Sequence, residues 1–222
     1  MARKQNYPED KMEQLIAKLV RLWQDPQDYR AIAMAMQTLD THYDLYKKLV
    51  REAGVAEIIE QMAGRLAQCF NSLSDLNGKR ILDIACGSNT SKMPGSIYVN
   101  TPFGEITLGS RWGYTSLFEP WFCRMLFHLG ANPVGVDFGD LEQEVFEHHH
   151  VDLGKPRALS FLTTHSFYAI HDSRLFGSPE FTAQFPEQGD RLKVAHEIVR
   201  QEKRLLMKAG IIIHSDAMEL IK

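Results

Sequence analysis

The sequence predicts an α/β protein, a parallel sheet with helices on both faces, preceded by a helical N-terminal cap. Three observations carry this expectation. Residues 9–72 hold only helix-spaced apolar stripes. From residue 77 onward, short apolar runs alternate with helical stretches, the pattern of strand–helix–strand units. Three acidic residues, Asp83, Asp137 and Asp152, fall where such strands should end, and open parallel sheets bind ligands at their strands' carboxyl ends. The expected boundaries are 1–76 for the cap and 77–222 for the α/β domain, with an insertion at 90–114.

In the cap, Leu15, Ile16, Leu19, Leu22 and Trp23 recur at helical spacing and give the first helix one apolar face. Asp25 followed by Pro26 suits an N-cap and first-turn proline for a second helix. Leu39, Tyr43, Tyr46, Leu49 and Val50 form a third stripe, with Gly54 as its stop. Ile58, Ile59, Met62, Leu66 and Phe70 form a fourth.

The pattern changes at Asn77-Gly78, a turn signal. Residues 80–85 read as a short buried strand broken by Gly87. Alternation at 96–100 and 105–108 predicts a hairpin inside the insertion. Glu119-Pro120 opens a helix with Trp121, Phe122, Met125, Leu126 and Leu129 on one face, ended by Gly130. Residues 133–138 read as a second strand, then a short polar helix, then 149–153 as a third strand. An apolar run at 158–163 reads as the fourth strand, and 166–189 as irregular. A long amphipathic helix is expected over 191–209, stopped by Gly210, with 211–214 as the last strand.

Composition narrows the function classes. The chain has 222 residues, 44% of them hydrophobic, and a net charge of −3, so no overall basic field advertises nucleic-acid binding. No apolar run is long enough to span a bilayer, and nothing near Met1 reads as a secretory segment. Cys69, Cys86 and Cys123 are odd in number and lack paired spacing, which favours free thiols and a cytoplasmic location. His148, His149 and His150 point to no metal site, since consecutive strand residues face opposite sides.

The run Ile81-Leu82-Asp83-Ile84-Ala85-Cys86-Gly87-Ser88 sets an acidic residue ahead of small residues at alternate positions. Together with Val134-Gly135-Val136-Asp137-Phe138 and His150-Val151-Asp152-Leu153, it resembles the class I S-adenosylmethionine (SAM)-dependent methyltransferases. The resemblance covers residues 78–216, about two-thirds of the chain, and implies a Rossmann-like sheet. It implies that Ala85, Cys86, Gly87 and Ser88 let the backbone approach SAM closely, since a larger side chain would fill the space. Asp83 would meet the cofactor's amino end and Asp137 its ribose hydroxyls. Asp152 would take the adenine amino group, the backbone N–H of Leu153 a ring nitrogen, and Phe138 the adenine face. Thr164 would close the cofactor side; His165 is the expected general base, with Ser166 and Tyr168 towards the acceptor. Trp112 and Tyr114, from the insertion, would contact substrate.

Two features depart from the family pattern. Asn89 stands where a third glycine is usual, and Asp137 follows Asp83 by 54 residues, where a ribose-binding acid ordinarily follows its glycine-rich loop by about 20. The insertion at 90–114 accounts for the excess. The reading is methyl transfer to a small-molecule acceptor, with a homodimer compatible with it. A SAM-binding protein without turnover is the alternative. A nicotinamide oxidoreductase is disfavoured, because residues 83–92 lack the glycines that let a pyrophosphate approach the backbone.

Overall fold

The structure is a computed structural model, and it describes residues 17, 20–49, 62, 64–67, 69–89, 92–93, 96–101, 104–110, 113–114, 119–172, 175–176 and 178–214. Leu15, Ile16, Leu19, Val50, Gly54, Ile58, Ile59 and Trp112 lie outside the described residues.

The cap begins as its sequence requires. Helix α1 spans Pro26–Tyr43, and the Asp25 carboxylate caps it by accepting from Gln27 N at 2.8 Å and Asp28 N at 3.3 Å. The expected third stripe is split: α1 stops at Asp44, held in the left-handed region (φ 53°), and a short α2, Leu45–Leu49, restarts the chain. Ile32, Ala35, Met36 and Leu39 form the buried stripe of α1. A 3₁₀ turn, Leu73–Leu76, leads into the domain, capped by Ser72 with Asp75 reciprocating.

The sheet strands are β1 (Arg80–Ile84), β6 (Asn132–Asp137), β7 (Glu147–His150), β8 (Phe167–Asp172) and β9 (Leu206–His214). They are ordered β7-β6-β1-β8-β9, and every adjacent pair is parallel. Counting only these strands, the order is 3-2-1-4-5, that of a doubly wound sheet whose direction of winding reverses beside β1. The expected α/β class with helices on both faces is therefore present, and the sheet is compatible with a Rossmann-like fold. Helix α3 (Trp121–His128) joins α1 and the 3₁₀ turn on one face, over Ile81, Ala169 and Ile213. Helix α5 (Gln188–Leu205) covers the other, over Leu82, Ile84, Val134, Val136 and Ile170. Helix α4, Pro179–Gln184, precedes it.

The insertion contains the expected hairpin. Strands β3 (Ser96–Thr101) and β4 (Gly104–Ser110) pair antiparallel, and the two-residue strands β2 (Lys92–Met93) and β5 (Gly113–Tyr114) pair at its base.

Three sequence expectations need correction. The fourth strand is not 158–163. That run forms successive turns, with Ser160 N donating to Arg157 O and Leu162 N to Leu159 O. Leu159 and Leu162 point inward from those turns at a spacing of three, which sequence alone does not separate from a short buried strand. The last helix ends at Leu205 rather than 209, because Arg204 O and Leu205 O accept from His165 N and Ser166 N instead of continuing the helix. Gly210 consequently lies inside β9. There the register slips from Phe167↔Leu206 to Ala169↔Ile211, and a Cβ on Gly210 would stand 2.7 Å from the Leu206 side chain. Finally, no helix follows β6; residues 138–146 run as turns and bends into β7, which begins at Glu147.

Candidate functional site

The carboxyl edge of the sheet is built from the loops that follow β1, β6 and β7. Leaving β1, Ala85 and Gly87 both take positive φ (56° and 93°), so the chain turns sharply here. That turn aims Gly87 N–H at Asp137 Oδ2, 3.0 Å away, while Gly139 N–H reaches Asp137 Oδ1 at 2.8 Å. Cys86 N–H donates to Val136 O and Asn89 N–H to Asp140 O, which laces the first loop to the second. Gly139 is required by this approach: a Cβ on it would sit 1.9 Å from Ser88 Oγ and 2.4 Å from Ser88 Cβ. Burial raises the pKa of Asp137, and the N–H groups of Gly139 and Gly87 hold it back. The two Asp137 oxygens accept from Gly87 N–H and Gly139 N–H respectively, and the Phe138 N–H also acts on the carboxylate.

The third loop lies alongside. Val151 N–H donates to Asp137 O, tying the end of β7 to the end of β6. Asp152 Oδ1 accepts from Gly154 N–H at 3.0 Å, and Lys155 Nζ lies 3.8 Å from Oδ2. Leu153 is buried. Phe138 is 66% exposed, its ring edge-on to His150 at 5.4 Å. The structure thus brings together Ala85, Cys86, Gly87, Ser88, Asp137, Phe138, Asp152 and Leu153 along three adjacent strand ends.

Asp83 has a different setting. It is the fourth residue of β1, 1% exposed, and its carboxylate faces α3. His171 Nδ1 lies 2.6 Å from Oδ1, and Cys123 Sγ donates to Oδ2 at 3.4 Å. One proton lies between Nδ1 and Oδ1 in this buried hydrogen bond. Phe122 packs its ring 4.4 Å from that imidazole. Burial pushes the Cys86 thiol up to about 11 and Cys123 well above its ordinary value, so neither is a thiolate nucleophile at neutral pH.

Thr164, His165, Ser166 and Tyr168 do not belong to this edge. They precede or begin β8 rather than follow its end, and so lie at the opposite, amino-terminal edge. His165 Nδ1 is 2.9 Å from Leu206 O. Thr164 Oγ1 accepts from Arg204 at 3.1 Å, and Ser166 Oγ donates to Thr163 O at 2.6 Å. The Tyr168 ring packs between Phe70 and the Lys79 ammonium. They sit there because the fourth strand is Phe167–Asp172 rather than 158–163, so His165, the expected base, precedes the strand instead of following it. Tyr114 contributes its backbone to β5, and Trp112 is outside the described residues.

Sequence reasoning missed a buried arginine beside the first loop. Arg124 on α3 is 1% exposed. Its Nη1 donates to Glu119 at 2.6 Å; Nη2 donates to Glu144 Oε1 at 2.6 Å and to Asn89 Oδ1 at 2.8 Å; Nε donates to Glu144 Oε2 at 3.0 Å. Asn89 completes the circuit, its Nδ2 donating to Glu144 at 3.1 Å. Here a glycine would leave Arg124 one acceptor short, which accounts for Asn89 in the third position of the motif. The available signal was an arginine set between Cys123 and Met125 on an otherwise apolar helix. Burial alone would lower the pKa of Arg124, and the carboxylates of Glu144 and Glu119 outweigh it and raise it.

Among the described residues, no group of three or more His, Cys, Asp or Glu is placed to hold a metal ion, and no helix is long and apolar enough to cross a membrane. No protein-family model matches the chain, and no curated protein matches it.

Proposed function

We propose that this chain is a SAM-dependent methyltransferase acting on a small molecule. The observation that carries the reading is Asp137. It stands at the carboxyl end of the second strand of a 3-2-1-4-5 parallel sheet, anchored to the left-handed Gly87 turn of the first loop, with both carboxylate oxygens at the strand-end crevice. Two cis hydroxyls of a ribose match that acceptor pair. Phe138 offers an exposed ring beyond it, and Asp152 with the Leu153 N–H supplies polar groups for a purine edge one strand further out. When bound, SAM would supply an electrophilic methyl group. The chain's part is orientation and exclusion of water, which lower the barrier of an in-line displacement without a protein nucleophile.

SAM binding without turnover is the second reading, and Asp83 favours it. Both of its oxygens are engaged by His171 and Cys123 below the surface, so it does not reach a cofactor ammonium directly.

Calorimetric titration of SAM and S-adenosylhomocysteine separates these readings from the rest. The wild type should bind both, and NAD should give no heat. Asp137→Asn, which keeps one acceptor, should weaken binding about tenfold or more, from the loss of about 1.5–3 kcal/mol of charge-assisted hydrogen bonding. Absence of SAM binding by the folded wild type removes both readings. Binding without methyl transfer to any acceptor in a screen leaves the second.

A further inference from the structure

Two of the chain's three cysteines meet under the first loop. Cys86 lies in the sharp turn that leaves β1, between Ala85 and Gly87, and Cys123 lies on α3. They are 8% and 0% exposed and share a small cluster with Leu141 and Phe146. Their thiols hydrogen-bond to each other. Gly135, in the middle of β6, makes room for them: a Cβ on it would stand 2.8 Å from Cys86 Sγ and 3.5 Å from Cys123 Sγ. Glycine weakens a strand interior and marks a close approach there, and here the approach is that of two sulfurs. We propose that Cys86 and Cys123 form a modification site, a dithiol that a hydroperoxide converts into a disulfide joining the first loop to α3.

The exposures assign the roles. Cys86 keeps the residual access and attacks the oxidant; Cys123, fully enclosed, resolves. The Cys86 thiolate breaks the peroxide O–O bond and becomes a sulfenic acid, and the hydroxide released takes up the proton that Cys86 shed. Cys123 sulfur then attacks the Cys86 sulfur, the S–O bond breaks, and the oxygen leaves as water. The Cys123 S–H already donates to Asp83 Oδ2 at 3.4 Å, so its proton departs along that bond and passes to the leaving oxygen. Two thiols and one hydrogen peroxide thus give one disulfide and two waters, the sulfurs losing the two electrons that the peroxide gains.

The surroundings set the pace. Burial raises the pKa of Cys86 first and the Cys123 thiol holds it back; the carboxylates of Asp83 on β1, Asp137 at the end of β6 and Glu144 in the β6–β7 connection then push it up, to about 11. Only the thiolate is nucleophilic, so oxidation is slow at neutral pH and quickens about tenfold for each pH unit below that value. The pair therefore answers sustained oxidant rather than a brief pulse. Closing the bond draws Cys86 towards α3 and removes its S–H donation to Gly87 O at 3.4 Å. Gly87 carries the N–H that holds Asp137, so, resting on the cofactor reading above, the oxidised chain binds SAM more weakly.

The test exposes the full folded chain to hydrogen peroxide at pH 7 and at pH 9, quenches in acid, caps the remaining thiols and maps the peptides by mass spectrometry without reductant. A Cys86–Cys123 cross-link, two hydrogens lighter than the reduced pair, is expected. It should form about a hundredfold faster at pH 9, be reversed by dithiothreitol, and persist in Cys69→Ser. Cross-links through Cys69 only, sulfinic acid at Cys86 without a cross-link, or equal rates at the two pH values overturn the proposal. Calorimetry on the cross-linked chain should show SAM affinity lowered tenfold or more and restored by dithiothreitol, and unchanged affinity overturns the coupling to the crevice. The bond itself is decided by mass, so a reduced chain that binds no SAM removes the cofactor reading alone.

Discussion

Glu202 lies on α5 with its carboxyl fully buried, and burial, then the neighbouring Asp172 carboxyl, pushes its pKa from 4.5 up to about 9. The unfolded chain gives up this proton at ordinary acidity, and the folded chain keeps it. Stability associated with the group is therefore whole below about pH 4.5 and declines as the pH rises towards 9, where the folded form ionises too. Glu202→Gln removes the titration and keeps a neutral polar group. The variant should gain on the order of a few kcal/mol over the parent between about pH 7 and 9, and should show a flatter profile. Urea unfolding at stepped pH measures it, and identical profiles for the two proteins would refute the assignment. Gly139 decides a local structure by having no side chain. Gly139→Ala forces a methyl carbon to within 1.9 Å of Ser88 Oγ, so the loops after β1 and β6 must separate. A loss of about 1–3 kcal/mol is expected from the overpacking, together with weaker SAM binding. A variant that keeps the parent's melting temperature and affinity would show that the two loops are not locked.

One charged side chain ties helix α3 to three neighbouring segments. Arg124 joins the segment before the helix (Glu119), the first loop (Asn89) and the β6–β7 connection (Glu144), and its guanidinium lies 3.9 Å from the Tyr43 ring and 4.6 Å from that of Trp121. Arg124→Met leaves the buried Glu144 carboxylate without its cation and Glu119 with Lys48 in place of two cations, and should cost about 3–5 kcal/mol in chemical denaturation. Adding Glu119→Gln and Glu144→Gln to Arg124→Met should return much of that loss, because no buried charge is then left unmatched. If the triple variant is no more stable than Arg124→Met, the network is not what the helix depends on. Such an element was only half legible in the sequence. The apolar face of α3, the Asp25–Pro26 start of α1, the hairpin and strands β1 and β6 follow from periodicity and caps, which are local signals. The fourth strand did not, because Leu159 and Leu162 imitate a buried strand while the true strand, 167–172, contains Tyr168, His171 and Asp172. His171 and Asp172 are engaged by groups far away in sequence, Asp83 for His171 and Glu202 for Asp172, and no window of neighbouring residues reveals them. Asp137 was legible because it ends a strand next to a glycine-rich turn. The interior position of Asp83 was not, since it depends on which side of the sheet α3 covers.

At the scale of the whole molecule, the expected boundary at 76/77 falls in the turn before β1, and the core crosses it. Leu22, Ile32, Met36 and Leu39 share one buried cluster with Ile81, Trp121, Phe122, Ala169 and Ile213. Fully burying each large apolar side chain contributes about 1.5–3 kcal/mol, so neither part retains its stability alone. A chain beginning at residue 72 should lack a cooperative unfolding transition, and the full chain should show one transition by both circular dichroism and tryptophan fluorescence. Two separated transitions in the full chain would mean that the helices and sheet are independent units. The same cluster has a consequence in time. Leu22 and Ile213 are 191 residues apart, and at about 5–20 residues per second of synthesis the first helices wait on the order of 10–40 s for the last strand. During that interval their apolar stripes have no permanent cover, and the nascent chain is most vulnerable to sticking to its neighbours on the ribosome. Slowing translation is therefore expected to lower the folded yield more than it would for a protein whose neighbours in space are also neighbours in sequence, measured as the soluble fraction of newly made chain.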